Sequence, residues 1–120
     1  MIVEIKDEDE KVIAYMSGSM VDKLGNFDAL APKEVHTLAW IDRLWVHKSL
    51  KWPFTDILLD LFQKIKDKGP WITYIYFVRT KEGKNTHKEK MYSIDVLIAK
   101  YSKEKELRNN GKRQSITCAS

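Results

Sequence analysis

Residues 37–78 read TLAWIDRLWVHKSLKWPFTDILLDLFQKIKDKGPWITYIYFV, and this stretch decides the fold. Its first part, TLAWIDRLWVH (37–47), is dense in aliphatic and aromatic residues that pack well on a pleated surface. Strict alternation puts Leu38, Trp40, Asp42, Leu44 and Val46 on one face and Ala39, Ile41, Arg43, Trp45 and His47 on the other. Both faces are mostly apolar, which predicts a central strand covered on two sides. Between about 53 and 68 the period changes. Phe54, Ile57, Leu58, Leu61, Phe62 and Ile65 fall at i, i+3, i+4, i+7, i+8 and i+11, the single stripe of an amphipathic helix. Pro53 is tolerated in its first turn, Asp56 suits its positive end, and Lys64, Lys66 and Lys68 suit its last turn. Gly69-Pro70 stops it. WITYIYFV (71–78) carries no charge and reads as a buried strand. Strand, helix and strand in that order make a β-α-β unit, whose two strands run parallel with a right-handed crossover.

Outward from this unit, residues 2–6 and 11–20 predict two more strands, joined by the acidic hairpin loop DEDE. Gly18, near the end of the second, marks a bulge or a close approach of backbone. Residues 23–35 hold Gly25, Asn26 and Pro32 and read as loop with one short helical turn. After the charged loop KEGKN, Thr86 and Glu89 have the spacing of a capping box opening a second helix. Met91, Ile94, Leu97, Ile98 and Tyr101 form the stripe of that helix, which is expected to fray in KEKELRNNG. The order is β-β-β-α-β-α: an α/β domain over residues 1–111 with a mixed sheet, an antiparallel hairpin and one parallel β-α-β unit. Residues 112–120 are expected to form a flexible basic tail.

A chain of 120 residues with 43% hydrophobic and 32% charged side chains has room for one core and is too apolar for a disordered class. The formal charge of +4 is unevenly placed. Residues 99–120 hold six lysines and arginines against two glutamates, so residues 1–98 are neutral and composition gives the body no basic nucleic-acid face. No apolar run approaches the ~20 residues of a membrane span. The opening MIVEIKDEDE turns acidic where a secretory leader is apolar, and one cysteine, Cys118, permits neither an internal disulfide nor a cysteine metal cluster. A reducing, cytoplasmic setting is the expectation. His36, His47 and His87 share no ligand spacing, so no metal is expected either.

IDRLWVHKSLKWPFTDILLDLF (41–62) resembles the core motif of the GNAT-type, acetyl-CoA-dependent N-acetyltransferases. In that family a strand ending I-x-R-L-x-V-x-P leads into a basic, glycine-rich turn and a helix. Ile41, Arg43, Leu44 and Val46 match the strand, and Lys51 falls where the family usually has arginine. KVIAYMSGS resembles the second strand of the family's hairpin. Asn85 and Tyr92 keep the family's spacing of asparagine and tyrosine at the last core helix, with Met91 before the tyrosine. The resemblance covers about residues 2–98. It implies a GNAT-like sheet, acetyl-CoA as donor, and Leu44, Val46, Lys51 and Asn85 as cofactor-binding positions. It further implies Asp42 as the general base and Tyr92 as the acid for the leaving thiolate. Three departures stand beside these matches. Lys51-Trp52-Pro53-Phe54-Thr55-Asp56 contains no glycine, and one residue is missing from the usual spacing. The family's first strand, its two early helices and its two closing strands have no counterpart.

Two other readings of the same residues stay open. Trp52 and Phe54 on a turn could plug the cofactor groove or form an apolar hot spot for a protein partner, making the chain a non-catalytic inhibitor or adaptor. The basic tail could bind nucleic acid through charge alone. Ser17, Ser19 and Ser49 lack a nucleophile-elbow context, so hydrolysis has no support.

Overall fold

The computed structural model describes residues 1–78 and 91–118. Five strands form one open sheet in the spatial order of the chain: β1 (Ile2–Lys6), β2 (Val12–Val21), β3 (Leu38–Val46), β4 (Tyr74–Phe77) and β5 (Met91–Ser93). Pairing is antiparallel throughout except between β3 and β4, which run parallel. Helix α1 (Phe54–Lys68) links those two, and α2 (Ile94–Cys118) follows β5. The domain is thus α/β with a mixed sheet, as the order of elements implies. Lys33–Val35 forms one turn of 3-10 helix in the long loop after β2.

The apolar stripe of α1 buries Ile57, Leu58, Leu59, Leu61, Phe62 and Ile65. Ile57, Leu58, Leu61, Phe62 and Ile65 join a single core with Val3, Ile5, Ala14, Met16, Ala39, Ile41 and Ile75 from the sheet and Ile94 from α2. Each of these side chains other than the two alanines contributes about 1.5–3 kcal/mol on leaving water. Lys64 ties α1 across the sheet edge, its Nζ donating to the Glu4 carbonyl at 2.6 Å. Leu97, Ile98 and Tyr101 pack α2 onto the same core, and the Phe62 ring lies between Phe77 at 6.1 Å and Tyr101 at 6.3 Å. Both helices therefore lie on one face.

The opposite face meets the expectation that β3 is covered on two sides only in part: Leu38 is buried and the Trp40 ring lies beside Gly25 of the loop after β2, whereas the end at Trp45 is open. This face carries Tyr15 beside Trp45, with ring centroids 5.7 Å apart, and Trp40 beside Tyr76 at 4.6 Å. Trp45 remains 39% exposed, and among the described residues no helix covers it. The two apolar sets come from a β-bulge, which resets the phase of alternation. Ser17 pairs with Arg43 and Gly18 with Ile41, so Asp42 is the extra residue on β3. Before it, Ala39 and Ile41 face the core; after it, Leu44 and Val46 do, opposite Met16 and Ala14. Trp40, Arg43 and Trp45 consequently share the open face. Gly18 makes the bulge possible, because a Cβ there would overlap the Trp40 carbonyl oxygen and lie 2.8 Å from its carbon.

The third part of the chain departs further from the sequence reading. Strand β4 begins at Tyr74 rather than Trp71: the Ile72 amide closes a turn on the Gly69 carbonyl at 2.9 Å, and the Thr73 amide donates to the Thr37 carbonyl at 2.8 Å. Met91 and Tyr92, expected on a helix, form a short strand whose Tyr92 pairs with Ile75. Helix α2 starts only at Ile94, and the Ser93 hydroxyl accepts the Val96 amide at 3.4 Å. Thr86 and Glu89 lie outside the described residues. Strong helix formers such as Lys103, Glu104 and Leu107 carry α2 through the run expected to fray, and the helix continues to Cys118. Among the described residues no helix is long and apolar enough to cross a membrane.

Candidate functional site

The parallel pair β3/β4 opens into a cleft. Its last described contact is the Val78 amide donating to the Ile41 carbonyl at 2.9 Å. Beyond Ile41, β3 continues to Val46 paired with β2 alone among the described residues. The gap forms a cleft of about 680 Å³ between the two strands and both helices. The bulge lies at its mouth. Ile41 and Leu44 form one wall, Phe54, Leu58 and Phe62 of α1 the floor, and Phe77, Tyr92, Leu97 and Tyr101 the far side. Asp42, Arg43, Thr55 and Lys100 also line it, so charged and polar groups stand beside hydrocarbon walls.

Asp42, Leu44 and Tyr92 are brought to this one cleft from β3 and β5. Asp42 is exposed, and the Ser17 hydroxyl donates to its Oδ1 at 3.2 Å across the bulge. Tyr92 is 40% exposed on its short strand beside the start of α2. Val46 and Lys51 do not line the cleft: Val46 packs against the core, and Lys51 is exposed on the turn before α1. Asn85 lies outside the described residues.

Four groups of the cleft region escaped sequence reasoning. Tyr101 lines the cleft one helical turn beyond Leu97, and its pKa is raised above the ordinary 10.0, first by burial and then by the Glu104 carboxylate and Tyr92. Lys100 and Thr55 line it from opposite helices, and Ser17 holds the Asp42 carboxylate. A helical wheel would have placed Lys100 beside Leu97, but only the fold shows that this face meets α1.

The turn before α1 can be tested for a phosphate. Pro53 occupies the N-cap without a side-chain cap and has no amide hydrogen. The amides of Asp56 and Ile57 both donate to the Pro53 carbonyl, at 3.0 and 3.2 Å. Asp56 itself is ion-paired with Arg108 of α2 and is 15% exposed, which places a carboxylate in the first helical turn. Only Phe54 and Thr55 retain first-turn amides outside these bonds. This turn does not fit a pyrophosphate. Before it, His47 Nδ1 accepts the Ser49 amide at 3.0 Å and lies 2.7 Å from the Ser49 hydroxyl, an arrangement that shapes the turn. Phe54 lines the cleft while remaining 52% exposed, and Trp52 stays outside it, so the two do not fill it.

Among the described residues, no group of three histidines, cysteines or carboxylates is placed to hold a metal ion. No protein-family model, curated protein or solved structure matches the chain.

Proposed function

We propose that this is a short GNAT-like domain that transfers an acyl group, acetyl in the simplest case, from a thioester donor to an amine. The observation that supports the reading is that Asp42 and Tyr92, from distant parts of the chain, both line the cleft where β3 and β4 part. The Asp42 carboxylate, held by Ser17, takes a proton from the attacking amine. The amine nitrogen then bonds to the thioester carbonyl carbon, and the carbon–sulfur bond breaks. Tyr92 gives its phenolic proton to the departing thiolate. Leu44, Phe54 and Phe62 give the acyl end of the donor a hydrocarbon wall.

Calorimetric titration with acetyl-CoA, followed by acyl transfer to a panel of amines, tests this. Saturable binding, with transfer slowed about 10²–10⁴-fold in Tyr92→Phe or Asp42→Asn, is expected. Absence of binding at millimolar donor would refute it.

A second reading rests on a different observation. Trp52 and Phe54, on either side of Pro53 at the start of α1, are 47% and 52% exposed, the form of an apolar anchor for a protein partner. A non-catalytic docking domain would leave acetyl-CoA unbound and lose its partner in Trp52→Ala.

A further inference from the structure

We infer that a second copy of the chain covers the open face of β1, β2 and β3. A two-fold axis between the copies sets Glu4 of each against Arg43 of the other. This pairing lies on the face opposite the helices and does not depend on the donor reading of the cleft. Strand register lays out the patch. Glu4 stands beside Tyr15, and Tyr15 beside Trp45, in one cross-strand row; Ile2, Ser17 and Arg43 form the next. Val3, Ile5, Ala14 and Met16 lie in the core, so Ile2, Glu4, Tyr15 and Ser17 between them point away from it. The six residues line one open groove of about 560 Å³.

Three features of the patch favour a second copy. Its two charges are opposite in sign and stand at opposite corners, Glu4 on β1 in one row and Arg43 on β3 in the other. Among the described residues neither makes an ion pair within its own chain. A two-fold axis along the other diagonal carries Glu4 onto Arg43 twice and sets Ile2 on Ile2 and Trp45 on Trp45. The strands of the two sheets then cross steeply, the orthogonal mode of sheet packing. Secondly, Ile2 and Trp45 give the patch exposed apolar surface to bury. A polyanion drawn to the same rings would be repelled by the acidic hairpin loop at residues 7–10. Thirdly, growth of the sheet beyond β1 is blunted, because Lys64 Nζ already holds the Glu4 carbonyl at that edge. The copies therefore meet face to face and not edge to edge. Arg43 also lines the β3/β4 cleft, so the pairing fixes one side chain at the cleft mouth.

Sedimentation velocity of the full chain over about 1–500 μM tests this. A three-strand face is small for an interface, so a Kd of about 1–100 μM is expected, with the mass approaching twice the 14.1 kDa of one chain. Glu4→Arg and Arg43→Glu each put like charges face to face at both contacts, and each should raise Kd at least about tenfold. Mixing the two variants should restore association to within about threefold of the parent, since every reversed charge then meets its opposite. That recovery would also show that both variants are folded. Trp45→Ala removes the central apolar contact and should weaken pairing about tenfold. A parent that stays monomeric at every concentration overturns the inference. So does a dimer indifferent to either charge reversal, or a pair of weakened variants that fail to associate when mixed.

Discussion

Replacing Gly18 with alanine probes the device on which both the sheet and the cleft depend. The added methyl would overlap the Trp40 carbonyl oxygen and stand 2.8 and 2.9 Å from the Trp40 carbonyl carbon and Ile41 Cα. All three are backbone atoms of β3, so no side chain can rotate away and the strands must separate. Overpacking of a close-packed interior costs about 1–3 kcal/mol. Separation also weakens about two ladder hydrogen bonds at ~1 kcal/mol each, within a β2/β3 register that runs from Ala14 to Val21. The sum is about 3–5 kcal/mol, a large share of the ~5–15 kcal/mol of a typical domain. Urea denaturation followed by far-UV circular dichroism should show the loss at unchanged slope, with Tm lowered by roughly 10–20 °C. Gly25→Ala is the comparison. Its φ of +83° disfavours a side chain, but its nearest contact is the mobile Trp40 ring at 3.2 Å, so about 1–2 kcal/mol is expected. A Gly18→Ala protein within about 0.5 kcal/mol of the parent would refute the bulge geometry, and with it the placement of Asp42.

Phe62→Ala removes a fully buried ring that packs on Phe77 and Tyr101, and should cost about 3–5 kcal/mol in the same denaturation assay; under about 1 kcal/mol would contradict the packing. The Tyr101 phenol ionises at higher pH folded than unfolded, so its contribution is complete below pH 10 and disappears as pH rises through the folded value. Spectrophotometric titration should find one late tyrosine that Tyr101→Phe removes, and that variant should lose less stability across the alkaline range than the parent does. Asp56 and Arg108 join the first turn of α1 to α2, and a double-mutant cycle on thermal stability should return a coupling of about 0.5–1 kcal/mol. Zero coupling would detach α2 from that turn.

What could be read from the residues was whatever obeys a local period. The α1 stripe, with its Gly69-Pro70 stop, predicts the helix to within a residue, and strands β1 and β2 follow from apolar runs flanking an acidic hairpin. Gly18 reads as a bulge or a close approach of backbone, and both occur there. The face assignment along β3 was not legible. Alternation counts every residue, whereas Asp42 drops out of register only because β2 approaches at Gly18. Strand β5 was hidden for a similar reason. Its three residues are extended because they pair with β4 and because the Ile94 amide binds the Thr73 carbonyl at 3.0 Å, and both are contacts far away in sequence. Of the candidate site, Asp42, Leu44 and Tyr92 line one cleft. Lys51 and Val46 were drawn in by the same resemblance, yet a solvated turn and a packed core position hold them away. Ser17 has no signal of its own, since its role exists only across the strand pair.

The central claim is that the gap between β3 and β4 receives the thioester donor. Amide chemical-shift mapping during titration of the full chain with acetyl-CoA tests it most directly. The account predicts saturating shifts at Ile41–Leu44, Thr55, Tyr92 and Lys100, with the open face around Tyr15 and Trp45 unmoved. Shifts confined to that open face or to the Trp52 turn, or none at millimolar ligand, would contradict it.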